Sequence, residues 1–134
     1  MRCDVCNFEL WLPVQALKVS TLGIYNDDRF PGRSILALNE HENLLEDLKE
    51  ETLFDFMIDI QSAVRAIKQA TGSPRVNVAI LGNRDPHVHA HLIPRYPHKE
   101  VKPDSSPWDD PRNKGQLSDE EVRVLKNQLL YNLK

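Results

Sequence analysis

The spacing of apolar and polar residues divides the chain into strand-like and helix-like segments. Four short apolar runs, each bounded by turn-forming or charged residues, predict β-strands. They are STLGIYN, SILAL, RVNVAIL and HVHAHLI. The first two are separated by DDRFPGR, so we expect a turn between them with Pro31 and Gly32 at its tip.

Between the second and third runs the apolar residues change to helical spacing. From Thr52 onward they recur in steps of four and three, which is typical of an amphipathic helix. Thr52 followed by Asp55 predicts the N-cap of this helix, and Gly72 followed by Pro74 predicts its end. The predicted apolar face consists of Leu53, Met57, Ile60, Val64 and Ile67.

The last part of the chain combines a proline-rich segment with a second helical pattern. Residues 96–116 contain four prolines among polar residues, which predicts an irregular loop. Ser118 and Glu121 have the spacing of a capping box and predict a C-terminal helix over 118–133. The order of elements indicates one domain over 1–134, an α+β sheet with helices packed on one face.

Composition narrows the class of protein. The chain has 134 residues, enough to bury its own core, with 40% apolar residues, 28% charged residues and a formal net charge of -3. Lys and Arg are scattered, which argues against a nucleic-acid partner. No apolar run approaches the roughly 20 residues of a membrane span, and the first residues lack the core of a signal peptide. We therefore expect a cytoplasmic protein without a membrane partner.

Three of the five histidines fall in one predicted strand. Side chains two positions apart lie about 6.6 Å apart on the same face of a strand, so His87, His89 and His91 form a row. Val88 and Leu92 then face the opposite side, toward apolar packing. Such a row fits a solvated face, a metal site of three histidines, or covalent chemistry in which an imidazole attacks phosphorus. A solvated face would normally use Lys, Glu and Thr instead.

The same segment resembles a known family. HVHAHLI matches the alternating pattern of the histidine triad superfamily, and LGNRDPHVHAHLIPR is similar to a bacterial branch of it. FPGRSILALNEH resembles the family's Pro-Gly-His strand, and CDVC resembles its N-terminal Cys-x-x-Cys. The matching pieces run in order from about residue 3 to residue 112. The resemblance implies the histidine triad fold, an antiparallel sheet with one long helix and a C-terminal helix, assembled as a homodimer.

The resemblance also implies a role for each histidine of the triad. His89, the middle one, would attack the α-phosphate of a nucleotide and form a nucleotidyl-imidazole intermediate that water then releases. His91 would hold phosphate oxygens or the bridging atom and help to protonate the leaving group. His87 would support the pair from behind. This mechanism requires no catalytic metal.

Four further residues are candidates for contact with substrate. Asn83, in the loop before the triad, is a candidate phosphate donor or a left-handed turn residue after Gly82. Asp27 is a candidate for the ribose hydroxyls or a solvated turn carboxylate. Arg33 replaces the family's histidine after Pro-Gly, where it contacts either phosphate or solvent. Trp108 either covers the substrate or anchors the proline-rich segment, and anchoring is the interpretation we favour.

The two cysteines have Cys-x-x-Cys spacing, which leaves structural zinc, a redox pair or two unpartnered thiols as readings. The start of the chain does not offer the strand and helix that usually surround a redox pair. Some bacterial relatives close a zinc site with two histidines that match His41 and His87. The resemblance therefore implies a structural zinc held by Cys3, Cys6, His41 and His87.

Together these features predict a hydrolase or transferase that cleaves at the α-phosphate of nucleotidyl anhydrides, esters or phosphoramidates. It would be of the dinucleoside polyphosphate hydrolase or nucleoside phosphoramidase type, with a nucleotide as its small-molecule substrate. The alternative is a nucleotide-binding or zinc-dependent interaction module with little turnover. The complete triad favours the enzyme, because a module that only binds has no need of a nucleophile.

Overall fold

The computed structural model describes residues 2–133. Five strands and two helices make up the regular structure, with short 3-10 turns at Leu45–Asp47 and Pro107–Asp109. No helix in this range is both long and apolar enough to cross a lipid bilayer. In chain order the elements are β1 (Leu12–Ala16), β2 (Ser20–Ile24), β3 (Ser34–Leu38), α1 (Glu50–Thr71), β4 (Arg75–Ala79), β5 (His89–Arg95) and α2 (Asp119–Asn132).

The strands form one antiparallel sheet in the order β1-β2-β3-β5-β4. Because side chains alternate along a strand, each strand contributes to two different faces of this sheet. One face carries Leu36, Ala90 and Leu92, which are fully buried in the main core together with apolar residues of both helices. The predicted architecture, an α+β fold with an antiparallel sheet, one long helix and a C-terminal helix, is therefore confirmed.

The N-terminal segment lies over the opposite face of the sheet. Cys3, Phe8 and Leu10 form a smaller apolar cluster there with Ala37 of β3. Gly23 of β2 permits this approach, because a Cβ at this position would lie 3.0 Å from the Cβ of Leu10. This face therefore holds the N-terminus close to the strand that carries the histidines.

Two features of the long helix differ from the sequence prediction. The helix begins at Glu50 with Lys49 at the N-cap, so the prediction of Thr52 as N-cap is wrong. Glu50 and Glu51 occupy the first turn, where negative charge is favourable near the helix N-terminus. Met57 is 39% exposed, and Phe56 is fully buried in its place. The Gly72 end is confirmed, since this glycine adopts the left-handed conformation at the C-cap.

Strand β1 was not predicted from the sequence. It is an edge strand that contains Pro13, and its pairing with β2 is irregular between Pro13 and Gln15. A proline cannot donate a backbone hydrogen bond, so it is found at sheet edges and weakens the local strand signal. The capping box of Ser118 and Glu121 at the start of α2 was predicted correctly, and both of its hydrogen bonds are present.

A buried carboxylate on α1 fixes the turn between β1 and β2. Asp59 is 2% exposed, and its oxygens accept from the backbone N–H groups of Lys18 and Val19 and from the Ser20 hydroxyl. Three donors are satisfied by this single side chain. The hairpin at the sheet edge is thereby attached to the helix.

We predict that Asp59→Ala lowers the free energy of unfolding by about 2–4 kcal/mol, since each buried donor left unsatisfied costs about 1–3 kcal/mol. Denaturant unfolding measures the change. The matched control is Asp55→Ala, one turn earlier on α1, whose contact with Lys18 is a 4.0 Å surface pair. The control should change stability by less than about 1 kcal/mol, and equal effects of the two variants would contradict the anchoring role of Asp59.

Candidate functional site

Two of the three histidines lie side by side on β5. His89 pairs with Ala37 of β3 across the sheet and His91 pairs with Ile35, so both are on the face opposite the main core. Their ring centroids are 5.0 Å apart, and the rings are nearly perpendicular. His87 precedes the strand and is fully buried. The intervening residues face the helices, as the alternation predicts.

The orientation of His89 follows from one hydrogen bond. Its Nδ1 lies 2.6 Å from the backbone carbonyl oxygen of His87. A carbonyl oxygen can only accept, so Nδ1 carries the proton and donates it to this bond. The other ring nitrogen, Nε2, therefore keeps its lone pair. An imidazole in this tautomer is a nucleophile with a defined direction of attack.

Phe8 of the N-terminal segment packs against two of the histidines. Its ring centroid lies 4.8 Å from that of His89 and 5.3 Å from that of His87, with interplanar angles of 28° and 13°. Phe8 is 9% exposed. This contact restricts rotation of the His89 ring. Sequence reasoning missed Phe8, because nothing in the order of residues indicates that position 8 reaches the middle of the sheet.

A cavity of about 260 Å³ opens in front of His89 and His91. Its wall contains groups of opposite character: two cationic side chains, one acid, and two aromatic rings at the side. Besides the two histidines, the lining includes Tyr25, Arg33, Asn83, Arg84, Asp85 and Trp108. A cavity with imidazoles at its base and arginines at its wall is suited to an anionic ligand such as a phosphate ester.

The structure brings Asn83 and Trp108 to this cavity. Asn83 is exposed, and it is not among the described residues with a positive φ, so the left-handed turn interpretation is wrong. Trp108 is 50% exposed and meets His91 edge-on, with ring centroids 5.4 Å apart. The indole therefore borders the site through its contact with His91, and its anchoring of the proline-rich segment stays a prediction.

Asp27 does not line the cavity. Its side chain is fully buried, and its oxygens accept from Arg29 and Arg33 at 2.8–3.0 Å. Burial by itself would raise the pKa of this carboxyl, but the hydrogen bonds from both arginines outweigh it and the pKa is lowered. The expected ribose contact does not fit, because both oxygens already have partners. Asp27 instead holds Arg33 in the wall of the site.

His91 is neutral at physiological pH. Burial is the main cause that lowers its pKa to about 4, and the electrostatic interactions with the His89 ring and the Arg33 guanidinium lower it further. Asp85 acts in the opposite direction and does not compensate. His91 therefore offers a neutral ring to a ligand in the cavity, and it is not a charged acid in the free protein.

Behind the triad, a cluster of four side chains could hold a metal ion. It consists of Cys3, Cys6, His41 and His87, and their ligand atoms all lie within 4.8 Å of one another. The sulfur of Cys3 is 3.5 Å from Nδ1 of His41, and that of Cys6 is 3.5 Å from Nδ1 of His87. Tetrahedral zinc, with bonds of about 2.3 Å to sulfur and about 2.0 Å to nitrogen, places such atoms about 3.5 Å apart.

The protonation of the cluster also suits a metal. Nε2 of His87 donates to the carbonyl oxygen of Leu38 at 2.7 Å, which leaves Nδ1 free as a ligand. A hydrogen bond from the Cys6 backbone lowers the pKa of Cys3 to about 6, so this thiol is largely ionised at neutral pH, whereas burial raises that of Cys6. Within residues 2–133 no other group of three such side chains is close enough to hold a metal, which disfavours a site of three triad histidines.

Comparison with known proteins agrees with this geometry. The profile of the HIT domain family matches residues 26–98, more than half of the chain. The chain therefore belongs to the HIT domain family, whose members carry the histidine triad. A search of curated proteins found no match.

Solved structures with the same fold come from distant organisms. A histidine triad protein from Bradyrhizobium japonicum is 23% identical with a TM-score of 0.83, over 92% of this chain and 90% of that chain. A zinc-bound histidine triad family protein from Mycobacterium smegmatis is 17% identical with a TM-score of 0.64, over 89% and 84%. The diadenosine triphosphate hydrolase of Plasmodium falciparum is 16% identical with a TM-score of 0.59, over 96% and 78%. At these identities the likeness establishes the fold.

We predict that the His91 ring titrates near pH 4 in the free protein, because burial and the neighbouring Arg33 cation disfavour its charged form. NMR of the labelled imidazole side chains measures this directly. Arg33→Gln should raise the pKa by removing one cation, while Arg123→Gln, an exposed arginine on α2, should leave it unchanged. A His91 ring that titrates near 6.5 in the wild-type protein would contradict the assignment.

Proposed function

We propose that this protein is a nucleotide hydrolase or transferase that acts through a covalent nucleotidyl intermediate on His89. The observation that carries the proposal is the hydrogen bond from His89 Nδ1 to the His87 carbonyl oxygen. It leaves the Nε2 lone pair on a buried ring at the base of the cavity. A neutral, oriented imidazole beside two arginines is a suitable nucleophile for an electrophilic phosphorus.

In the first step, the Nε2 lone pair of His89 forms a bond to the α-phosphorus, and the bond from phosphorus to the leaving group breaks. The leaving group takes that electron pair. Asn83 and His91, both at the cavity wall, contact the phosphate oxygens or the bridging atom. The positive charge that develops on the His89 ring is stabilised at Nδ1–H by the His87 carbonyl dipole.

In the second step, a water oxygen attacks phosphorus, and the nitrogen–phosphorus bond returns its electron pair to His89. The water oxygen becomes part of the nucleoside monophosphate, and one water proton is released to solvent. An alcohol or phosphate in place of water would give a transferase. The same His89 tautomer is restored, because the proton stays on Nδ1 and remains hydrogen-bonded to the His87 carbonyl oxygen throughout.

The comparisons support this assignment at the level of the family. A diadenosine triphosphate hydrolase shares the fold, and the family includes proteins described as nucleotide-binding. The alternative is a module that binds nucleotide with little turnover. The free Nε2 lone pair of His89 favours the enzyme, since binding alone would be served by arginines and amides.

We predict that His89→Ala abolishes turnover of a good nucleotidyl substrate, lowering kcat/KM by at least about 1000-fold, because the covalent route is lost. Nucleotide binding should remain. Acid quench of the wild-type protein during turnover should give a mass increase of one nucleotidyl group on the peptide that contains His89. A variant that retains a tenth of wild-type kcat/KM would disprove the nucleophile, and stable binding without turnover in the wild type would favour the binding module.

The same proposal assigns zinc to the cysteine and histidine cluster. The zinc would be held by Cys3, Cys6, His41 and His87. The bound ion would cross-link the N-terminal segment to the sheet. This role is structural, because the cluster lies behind His89 and outside the cavity lining. The zinc-bound relative from Mycobacterium smegmatis supports the choice of metal.

We predict about one zinc per chain by elemental analysis, and its loss in the Cys3→Ser, Cys6→Ser double variant with a lower melting temperature. The physical reason is that two thiolate ligands are removed and the N-terminal segment is released. A chelator should not stop the chemical step while the protein stays folded. Metal-free protein that takes up no zinc and melts like the double variant would rule the site out.

We also propose a homodimer, which the resemblance implies. Strand β4 lies at the edge of the sheet with one side of its backbone unpaired, and its Val78 is 45% exposed. The exposed Phe54 and Met57 on α1 add apolar surface. A second copy pairing with β4 would cover an edge that is otherwise open to association.

A further inference from the structure

Arg33 is held in the wall of the cavity by contacts on two sides. Its Nη1 donates to the Asp27 carboxylate at 2.8 Å, and its Cζ lies 4.0 Å from the centroid of the Tyr25 ring. The residue is only 5% exposed. A guanidinium fixed by a buried carboxylate and an aromatic face has lost most of its rotamer freedom, so it is already oriented before a ligand arrives.

Two buried polar atoms of this wall lack a partner among the described residues. They are Nε of Arg33 and Nδ1 of His91. Buried polar atoms are nearly always hydrogen-bonded, so each exception calls for an explanation. Both residues line the same cavity, and the guanidinium can only donate. A ligand oxygen would satisfy Arg33, because a guanidinium can only donate, and beside a permanent cation an anionic oxygen is the favourable acceptor.

We propose that Arg33 binds the leaving group of the substrate, and that the site prefers nucleotidyl anhydrides, whose leaving group departs as an oxyanion, over nucleotidyl amines. This inference rests on the proposed function, because it concerns the group that His89 displaces. Arg33 would neutralise the negative charge that develops on the departing oxygen. A leaving group that departs as a neutral amine would instead need a proton donor.

The fate of the bonding electron pair explains why anhydrides would be preferred to amines. When the bond from phosphorus to a bridging oxygen breaks, the electron pair stays on that oxygen as negative charge, and the Arg33 guanidinium can neutralise it with no proton transferred. When the bond runs to nitrogen, the nitrogen must gain a proton to depart as an amine. Arg33 cannot give one, since its guanidinium does not deprotonate in proteins.

His91 does not replace the missing acid in the free protein. Its pKa of about 4 follows first from burial and then from electrostatic interaction with the His89 ring and the Arg33 guanidinium, with Asp85 opposing them. Trp108, which also adjoins His91, carries no charge; its ring centroid lies 5.4 Å from that of His91 and 5.8 Å from Cζ of Arg33. The same guanidinium that stabilises a departing anion therefore disfavours the protonated imidazole that an amine would need.

The test compares two substrates that share the adenylyl group, diadenosine triphosphate and adenosine 5′-phosphoramidate. Wild-type protein should have the higher kcat/KM for the anhydride. Arg33→Gln should lower kcat/KM for the anhydride by roughly 10- to 100-fold, the effect of losing a charge-assisted hydrogen bond. The phosphoramidate should change by less than about 3-fold in the same variant, since its leaving group makes no such bond.

Two further variants separate charge from structure. Arg33→Lys keeps the positive charge but loses the planar, two-pronged donor geometry of the guanidinium. It should give an intermediate loss of kcat/KM for the anhydride. Arg123→Gln removes an exposed arginine of α2 and should change neither substrate. Melting temperature reports whether the variants fold, and Arg29 remains to pair with Asp27 in Arg33→Gln.

Binding of inorganic pyrophosphate, measured by calorimetry, tests the anion site without turnover. Wild-type protein should bind it, and Arg33→Gln should bind it at least about 10-fold more weakly. Three outcomes would overturn the inference. Arg33→Gln could lower kcat/KM equally for both substrates, the wild-type protein could prefer the phosphoramidate, or pyrophosphate could bind Arg33→Gln as tightly as the wild-type protein. Failure of the proposed function is distinguishable, because it would appear as no turnover of either substrate and no adenylyl group on His89.

Discussion

The site depends on one hydrogen bond, from His89 Nδ1 to the carbonyl oxygen of His87. Because it fixes both the tautomer and the rotation of the ring, it determines where the free lone pair lies. His87 can hold this carbonyl in place because its own ring is fixed by two contacts. Its ring donates to Leu38 on β3 and approaches the Cys6 sulfur, so the backbone that carries the carbonyl is held from two directions. The cysteine and histidine cluster and the proposed nucleophile are thus linked through His87, by its ring to the cluster and by its backbone carbonyl to His89.

The two faces of the sheet have separate tasks. The face toward the helices is apolar and supplies most of the buried surface, including Ala90 and Leu92 between the histidines. The other face would be open, but the N-terminal segment covers part of it with Phe8 and Leu10. Phe8 stacks on His87 and His89 together, so the covering segment is also part of the support of the site. A structural metal beside Cys3 and Cys6 would keep that segment in place.

Charge in the cavity is organised by a buried acid. Asp27 pairs with Arg29 and Arg33, and the cost of burying these charges is offset by several hydrogen bonds at good distances. The result is a cation whose position is set by the fold. Arg33 in turn affects His91, whose pKa it helps to lower. An arginine at this position therefore affects more than its own contacts, because it also favours the neutral form of the neighbouring His91.

The sequence by itself determined the histidine row, the helix ends at Gly72 and Ser118, and the family. These features depend on residues adjacent in the chain, where side-chain alternation, capping and turn preferences act locally. The tertiary structure decided the rest. Asp27 is buried in ion pairs with two arginines and does not line the cavity. The N-cap of α1 is Lys49 and not Thr52. An edge strand forms around Pro13, which had weakened the strand signal in the sequence. The tertiary structure also brought Phe8, which no motif had indicated, against His87 and His89, and it placed the sequence candidates Arg33 and Trp108 in the wall of one cavity. Contacts between residues far apart in sequence depend on how the sheet and its covering segments pack, and no local pattern encodes them.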